Sequence, residues 1–168
     1  MVGQIRLGMM AMHVYSVRYG FKQPLKLPPR DAFDWCTDYK PYDLTIMQET
    51  GKRRIRKLTH DAIILTETTG TSKKPVTKTK LVRLNRPELS WTNTHVSGPN
   101  RHSEFIYKIE PLGKNRSRLK FTGLLIYYSH DILTREKLRK IAKHEKLADS
   151  RAWHYLAAAM EKEMNPRR

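Results

Sequence analysis

The chain has 168 residues, with 33 Lys or Arg against 16 Asp or Glu, a formal net charge of +17. That length makes one domain with a sizeable core, and the charge surplus attracts polyanions or anionic membranes without saying anything about fold. One cysteine, Cys36, excludes an intrachain disulfide and suits a reducing compartment. Its apolar neighbours in Phe33-Asp34-Trp35-Cys36 mark a buried structural thiol rather than a nucleophile.

The opening MVGQIRLGMMAM holds one Arg and a short apolar run, too short to cross a membrane and without a signal-peptide cleavage pattern. A cytoplasmic location is expected. Residues 1–12 read as a flexible N-terminus, 13–163 as a single domain and 164–168 as a basic tail. From His13 to Phe21, the residues His13, Tyr15, Val17, Tyr19 and Phe21 alternate with Val14, Ser16 and Arg18, which predicts an opening strand. Pro28 and Pro29, with Asp31 and Asp34 behind them, start a short helix through Cys36. Tyr42 to Met47 reads as a second short helix or an irregular turn. Three strands follow at 53–58, 62–68 and 76–84, the last two joined by the polar segment 70–75.

The stretch from Pro87 to Tyr128 carries the clearest period-two pattern. Leu89, Trp91, Asn93 and His95 share one face of a strand. Phe105, Tyr107 and Ile109 share a face of the next, and Leu119, Phe121, Leu125 and Tyr127 a face of a third. Turns are expected at Ser97–Asn100 and Glu110–Asn115. From Asp131 to Glu163 neither Pro nor Gly interrupts the chain, and Leu138, Ile141, Ala152, Leu156 and Met160 recur at helical spacing. A continuous helix there would run about 45–50 Å, while Asp149-Ser150 could cap a second helix if it breaks. Its basic front half is expected to reach into solvent and its apolar second half to pack on the sheet. The fold class is therefore α+β: a curved antiparallel sheet of about seven strands around a long C-terminal helix, with one or two short helices after the first strand.

Several segments carry a resemblance to a known superfamily. They are Tyr19-Gly20-Phe21 followed by Pro29 to Tyr39, then Trp91-Thr92-Asn93-Thr94-His95, Gly98 to Ser103 and Ser117 to Gly123. The chain resembles the helix-grip (SRPBCC) superfamily of START domains, polyketide cyclase/dehydrase-like proteins and coenzyme Q-binding proteins, over about residues 13–163. The resemblance implies an elongated, largely apolar cavity between the concave sheet and the terminal helix. This fold hosts binders, carriers and some enzymes, so function must come from the site.

The candidate ligand wall comprises Trp91, Asn93, His95, Phe105, Tyr107, Leu119, Phe121 and Tyr127 on the strands, with Trp153, Leu156 and Met160 on the helix. Read from periodicity alone, the same residues would fill an ordinary core. Asn93 and His95 supply the few polar groups that a binding pocket uses to orient a ligand. The expected partner is a small hydrophobic or amphipathic molecule. The alternative is a cyclase/dehydratase-type reaction with His95 as base and Tyr107 or Asn93 donating to a developing enolate. No cofactor is implied and no metal site, because His95, His102 and Glu104 lack a defined ligand pattern. A further alternative is a basic adaptor for nucleic acid or an anionic membrane. Its residues would be Arg53, Arg54, Arg56, Lys57, Lys73 and Lys74, with a third cluster at Arg135 to Lys146. Residues 51–80 contain no Phe, Tyr or Trp, which argues against base stacking there. Oligomeric state is not legible in the sequence.

Overall fold

The computed structural model describes residues 12–164, so of the expected flexible N-terminus 1–12 and tail 164–168, residues 1–11 and 165–168 lie outside the described residues, while Met164 ends the terminal helix. The elements are β1 (His13–Leu25), α1 (Pro29–Cys36), α2 (Asp43–Ile46), β2 (Gly51–Lys57), β3 (Ala62–Thr71), β4 (Lys74–Asn85), β5 (Ser90–Ser97), β6 (Glu104–Gly113), β7 (Arg116–Ser129) and α3 (Arg135–Met164). The strands form one seven-stranded sheet in the order β1-β7-β6-β5-β4-β3-β2. Every neighbouring pair is antiparallel, so β1 and β2 are the edges.

Register aligns the aromatic faces. Trp91 sits opposite Tyr107, Tyr107 opposite Phe121, and Phe121 opposite Phe21. These pairs become ring contacts: Trp91 and Tyr107 stack at 4.9 Å, Phe21 and Phe121 at 4.7 Å, and Tyr107 meets Phe121 at 5.1 Å. Such pairs add about 0.5–1.5 kcal/mol each beyond their buried area. Gly123 makes room for the row. A β-carbon there would lie 3.1 Å from the Phe105 and Phe121 rings.

Helix α1 starts at Pro29, with Asp31 in its first turn, and buries Ala32, Phe33, Trp35 and Cys36. The Phe33 ring stands edge-on to Trp91 at 5.8 Å. Helix α3 is continuous over 30 residues, about 45 Å at 1.5 Å per residue. Asp149 is therefore not a cap. Thr134 opens the helix by accepting the Lys137 amide at 3.2 Å. The far end of α3 is tied to α1: the Trp35 indole donates to Glu163 at 2.9 Å.

Three local expectations change. Glu110 to Gly113 belongs to β6, with a register irregularity between Pro111 and Gly113, so the turn shortens to Lys114-Asn115. Leu89 has φ 48° and belongs to the turn before β5 rather than to the strand. The segment expected as a strand over 53–58 begins earlier, at Gly51.

Candidate functional site

The inward rows of β3, β4 and β5 end in polar groups. On β3 the row reads Ile63, Leu65, Glu67, all buried. On β4 it is Leu84 and Val82, buried, then Lys80 and Lys78, half-buried. On β5 it is Trp91, Asn93, His95, all buried. Toward this end, opposite α2 and the front of α3, the apolar interior gives way to a polar cluster.

Glu67 is its hub. Its carboxylate accepts from Arg53 at 2.7 and 2.9 Å and from Lys80 at 2.5 Å. Burial alone would raise the Glu67 pKa, but the charges of Lys80 and Arg53 outweigh it and hold the group at about 2. Arg53 also donates to Asp43 at 2.7 Å and to the Lys40 carbonyl at 2.9 Å. This network fixes α2 and the segment before it against the sheet edge. Nearby, the Tyr39 hydroxyl donates to Asn93 Oδ1 at 3.1 Å, and burial pushes the Tyr39 pKa well up.

His95 faces the same space with its ring edge-on to Phe105 at 4.9 Å. It is 4 % exposed, and its Nδ1 is the buried side-chain polar atom without a hydrogen-bond partner among the described residues. Burial, then the charges of Lys80 and Lys78, push its pKa down to about 3, so the imidazole is neutral near pH 7. From the helix side, Asp149 accepts the Tyr19 hydroxyl at 2.7 Å. Burial raises the Asp149 pKa, the Tyr19 hydrogen bond opposing it. The Tyr107 hydroxyl is also pushed up, first by burial and then by Asp149.

Packing along α3 is uneven. Of its residues only Leu156, Ala157 and Met160 are buried. Trp153, half-buried, rests against Tyr107 at 5.5 Å and Trp91 at 6.3 Å. These rings meet across the space between the sheet and the second half of α3. Farther forward, Leu138, Ile141, Ala142, Glu145 and Asp149 turn toward the sheet yet remain half-exposed. Helix α3 packs chiefly on β1, with a smaller contact to α2, so its half-exposed front face and the inward rows of β4 and β5 do not pack closely on each other. Two grooves lie at the opposite end. One of about 740 Å³ lies between α1 and β2–β4, lined by Asp34, Asp38, Ile55, Lys57, Ile63 and Leu84. One of about 350 Å³ lies beside Leu25, Leu112, His154 and Ala157. Neither is lined by His95.

The residues expected as a ligand wall thus divide. Trp91, Phe105, Leu119, Phe121, Leu156 and Met160 are buried packing residues. Asn93, His95 and Tyr107 are buried where the interior turns polar. Trp153 closes the packed part. Tyr127 keeps the inward phase of β7 but is 38 % exposed at the strand's end, so it stands at the rim and not in a wall. The His102 amide donates to the His95 carbonyl at 2.7 Å, but its exposed side chain lies on the β5–β6 loop beside the Tyr128 hydroxyl.

The basic cluster on β2 needs correction. Arg53 is not on an outer face: its side chain is 5 % exposed and paired internally with Glu67 and Asp43. The reason is the strand's period of two, which sends Arg53 inward while Lys52, Arg54 and Arg56 go outward. Lys57 lines the larger groove. Lys73 and Lys74 are exposed at the β3–β4 hairpin. Sequence reasoning missed Tyr19, Tyr39, Glu67, Lys80 and Asp149. A signal existed for Glu67, which continues the apolar phase of Ile63 and Leu65, and for Asp149, four residues before Trp153.

No known family profile matches the chain, and no curated protein matches it in sequence. Solved structures do. The Zhui aromatase/cyclase from Streptomyces sp. R1128 superposes with a TM-score of 0.69 at 13 % identity, covering 90 % of this chain and 96 % of that one. TTHA0849 from Thermus thermophilus matches with a TM-score of 0.68 at 14 % identity, over 87 % of this chain and 97 % of that one. Ara h 8.0201 matches at 0.64 and 11 % identity, over 88 % and 98 %. With its seven-stranded antiparallel sheet and long terminal helix, the chain has the helix-grip fold that these structures share.

Proposed function

We propose that a cleft between the front half of α3 and the inward rows of β4 and β5 binds a small amphipathic molecule. One observation carries this reading: His95 Nδ1 is buried without a partner among the described residues, at the point where the apolar interior gives way to polar groups. A buried polar atom left unpaired costs about 1–3 kcal/mol, and a ligand hydroxyl or carbonyl reaching a suitable tautomer would recover it. Leu138, Ile141 and Ala142 offer the ligand's apolar body a wall, and the Asn93 amide and Tyr107 hydroxyl sit beside the polar end. The aromatase/cyclase likeness supports such a site by fold. Catalysis with His95 as general base is disfavoured, since a group titrating near 3 is too weak a base at neutral pH.

The probe 8-anilinonaphthalene-1-sulfonate tests the reading. Its fluorescence should rise on titration with the wild-type protein and report about one site. Ala142→Trp, on the inward face of α3, should fill the cleft and abolish the rise without lowering the urea midpoint. Equal probe binding by both proteins, or none by either, would overturn the proposal.

A further inference from the structure

We propose that the outward face of the front half of α3, with Ile132 at its foot, docks the protein on an anionic membrane surface. Lys137, Arg139, Lys140, Lys143, Lys146 and Arg151 are all exposed along this half. The acids in the same stretch are Glu136, Glu145 and Asp149. Glu145 and Asp149 turn inward and are half-buried, leaving Glu136, which pairs with Lys140 at 2.8 Å. The outward face is therefore cationic over about four turns.

Two apolar side chains stand within this field. Leu147 is 57 % exposed, flanked by Lys143 and His144 one turn back and Arg151 one turn on. Ile132 is 77 % exposed on the β7–α3 connection. Its exposure is built in: the Tyr15 hydroxyl accepts the Leu133 amide at 2.8 Å and donates to the Asp131 carbonyl at 3.4 Å. The Asp131 amide meets Ser129 Oγ at 3.0 Å. Both neighbours of Ile132 are thus held, and the isoleucine is displayed on a fixed turn instead of folding back onto the core.

A surface that pairs lysines with a projecting aliphatic group matches the two attractions of an anionic bilayer, charge at the headgroups and burial just beneath them. Nucleic acid fits less well. No Phe, Tyr or Trp is available for stacking on the outward face of residues 135–151. Water-exposed Ile132 and Leu147 would gain nothing from a phosphate backbone. The outward row of β2, Lys52, Arg54 and Arg56, lies at the opposite edge of the sheet from β1, on which α3 rests, so it belongs to a different face.

Co-sedimentation of the full chain with vesicles separates the possibilities. Vesicles of phosphatidylcholine with about one-third phosphatidylglycerol should bind the protein, pure phosphatidylcholine should not, and added salt should release it. Lys140→Gln, Lys143→Gln and Lys146→Gln together should weaken binding about a hundredfold, at about fivefold per lysine. Ile132→Ser should weaken it about tenfold with no change in urea midpoint. Failure of the wild-type protein to bind the anionic vesicles would overturn the proposal. So would tighter binding to a duplex oligonucleotide that Ile132→Ser leaves untouched, which would assign the face to nucleic acid. Because Ala142 faces the sheet, probe binding in the cleft should survive all these substitutions, and the two proposals can fail separately.

Discussion

Replacing Glu67 by Gln should be among the most damaging single changes in this protein. Its carboxylate is 5 % exposed and is shared by two cations, Arg53, also 5 % exposed, and Lys80, 16 % exposed. Gln preserves shape and removes the anion, leaving two desolvated positive charges with only Asp43 on Arg53 to balance them. Breaking a buried ion network in this way costs about 3–5 kcal/mol, because the remaining charges stay buried. Urea unfolding at pH 7 measures the loss directly. The same residue sets a pH window. Its native pKa, about 2 against an ordinary 4.5, is depressed, so the stabilisation is complete above pH 4.5 and drains away as pH falls toward 2. That shift corresponds to about 3 kcal/mol at 1.36 kcal/mol per unit. Wild-type stability should fall across this interval, and the difference between wild type and Glu67→Gln should shrink with it. A variant within about 0.5 kcal/mol of wild type at pH 7, or a gap that does not close in acid, would refute the reasoning.

The alternation along β2 predicts opposite outcomes for neighbouring arginines. Arg53→Gln should cost about 3 kcal/mol or more, whereas exposed Arg54→Gln should stay within about 0.5 kcal/mol, both read from urea midpoints. His95→Leu should stabilise the free protein by about 1 kcal/mol by removing an unpaired buried nitrogen, while weakening probe binding in the cleft. His95 also has a pH signature. Its pKa is lowered from 6.5 to about 3, so the unfolded chain takes up the proton first and native stability declines as pH falls from 6.5 toward 3. His95→Leu should flatten the stability profile over that range, and an unchanged profile would remove His95 as its source.

The period-two pattern of Trp91 to His95, Phe105 to Ile109 and Leu119 to Leu125 was sufficient for the sheet, because successive side chains on a strand must alternate faces. Likewise, an uninterrupted run of helix formers from Asp131 to Glu163 was enough for α3. Which cations face inward is also written in β2, since one residue's shift in phase carries Arg53 to the opposite side from Arg54. What the local pattern leaves open is anything decided between elements. Asp149 reads equally as a cap or a surface acid until the helix runs through it and places Tyr19 at 2.7 Å. Trp153 reads as pocket wall or core until its distance to Trp91 and Tyr107 is known. Glu67, Arg53, Lys80 and Asp43 come from four separate elements, and strand pairing, which sets Arg53 opposite Glu67, together with α2's position brings their charges together. Periodicity is a property of one element, whereas filled space and charge pairing belong to the meeting of several. Secondary structure and facing were therefore determined along the chain, and the packed stack and the polar hub were decided by tertiary structure.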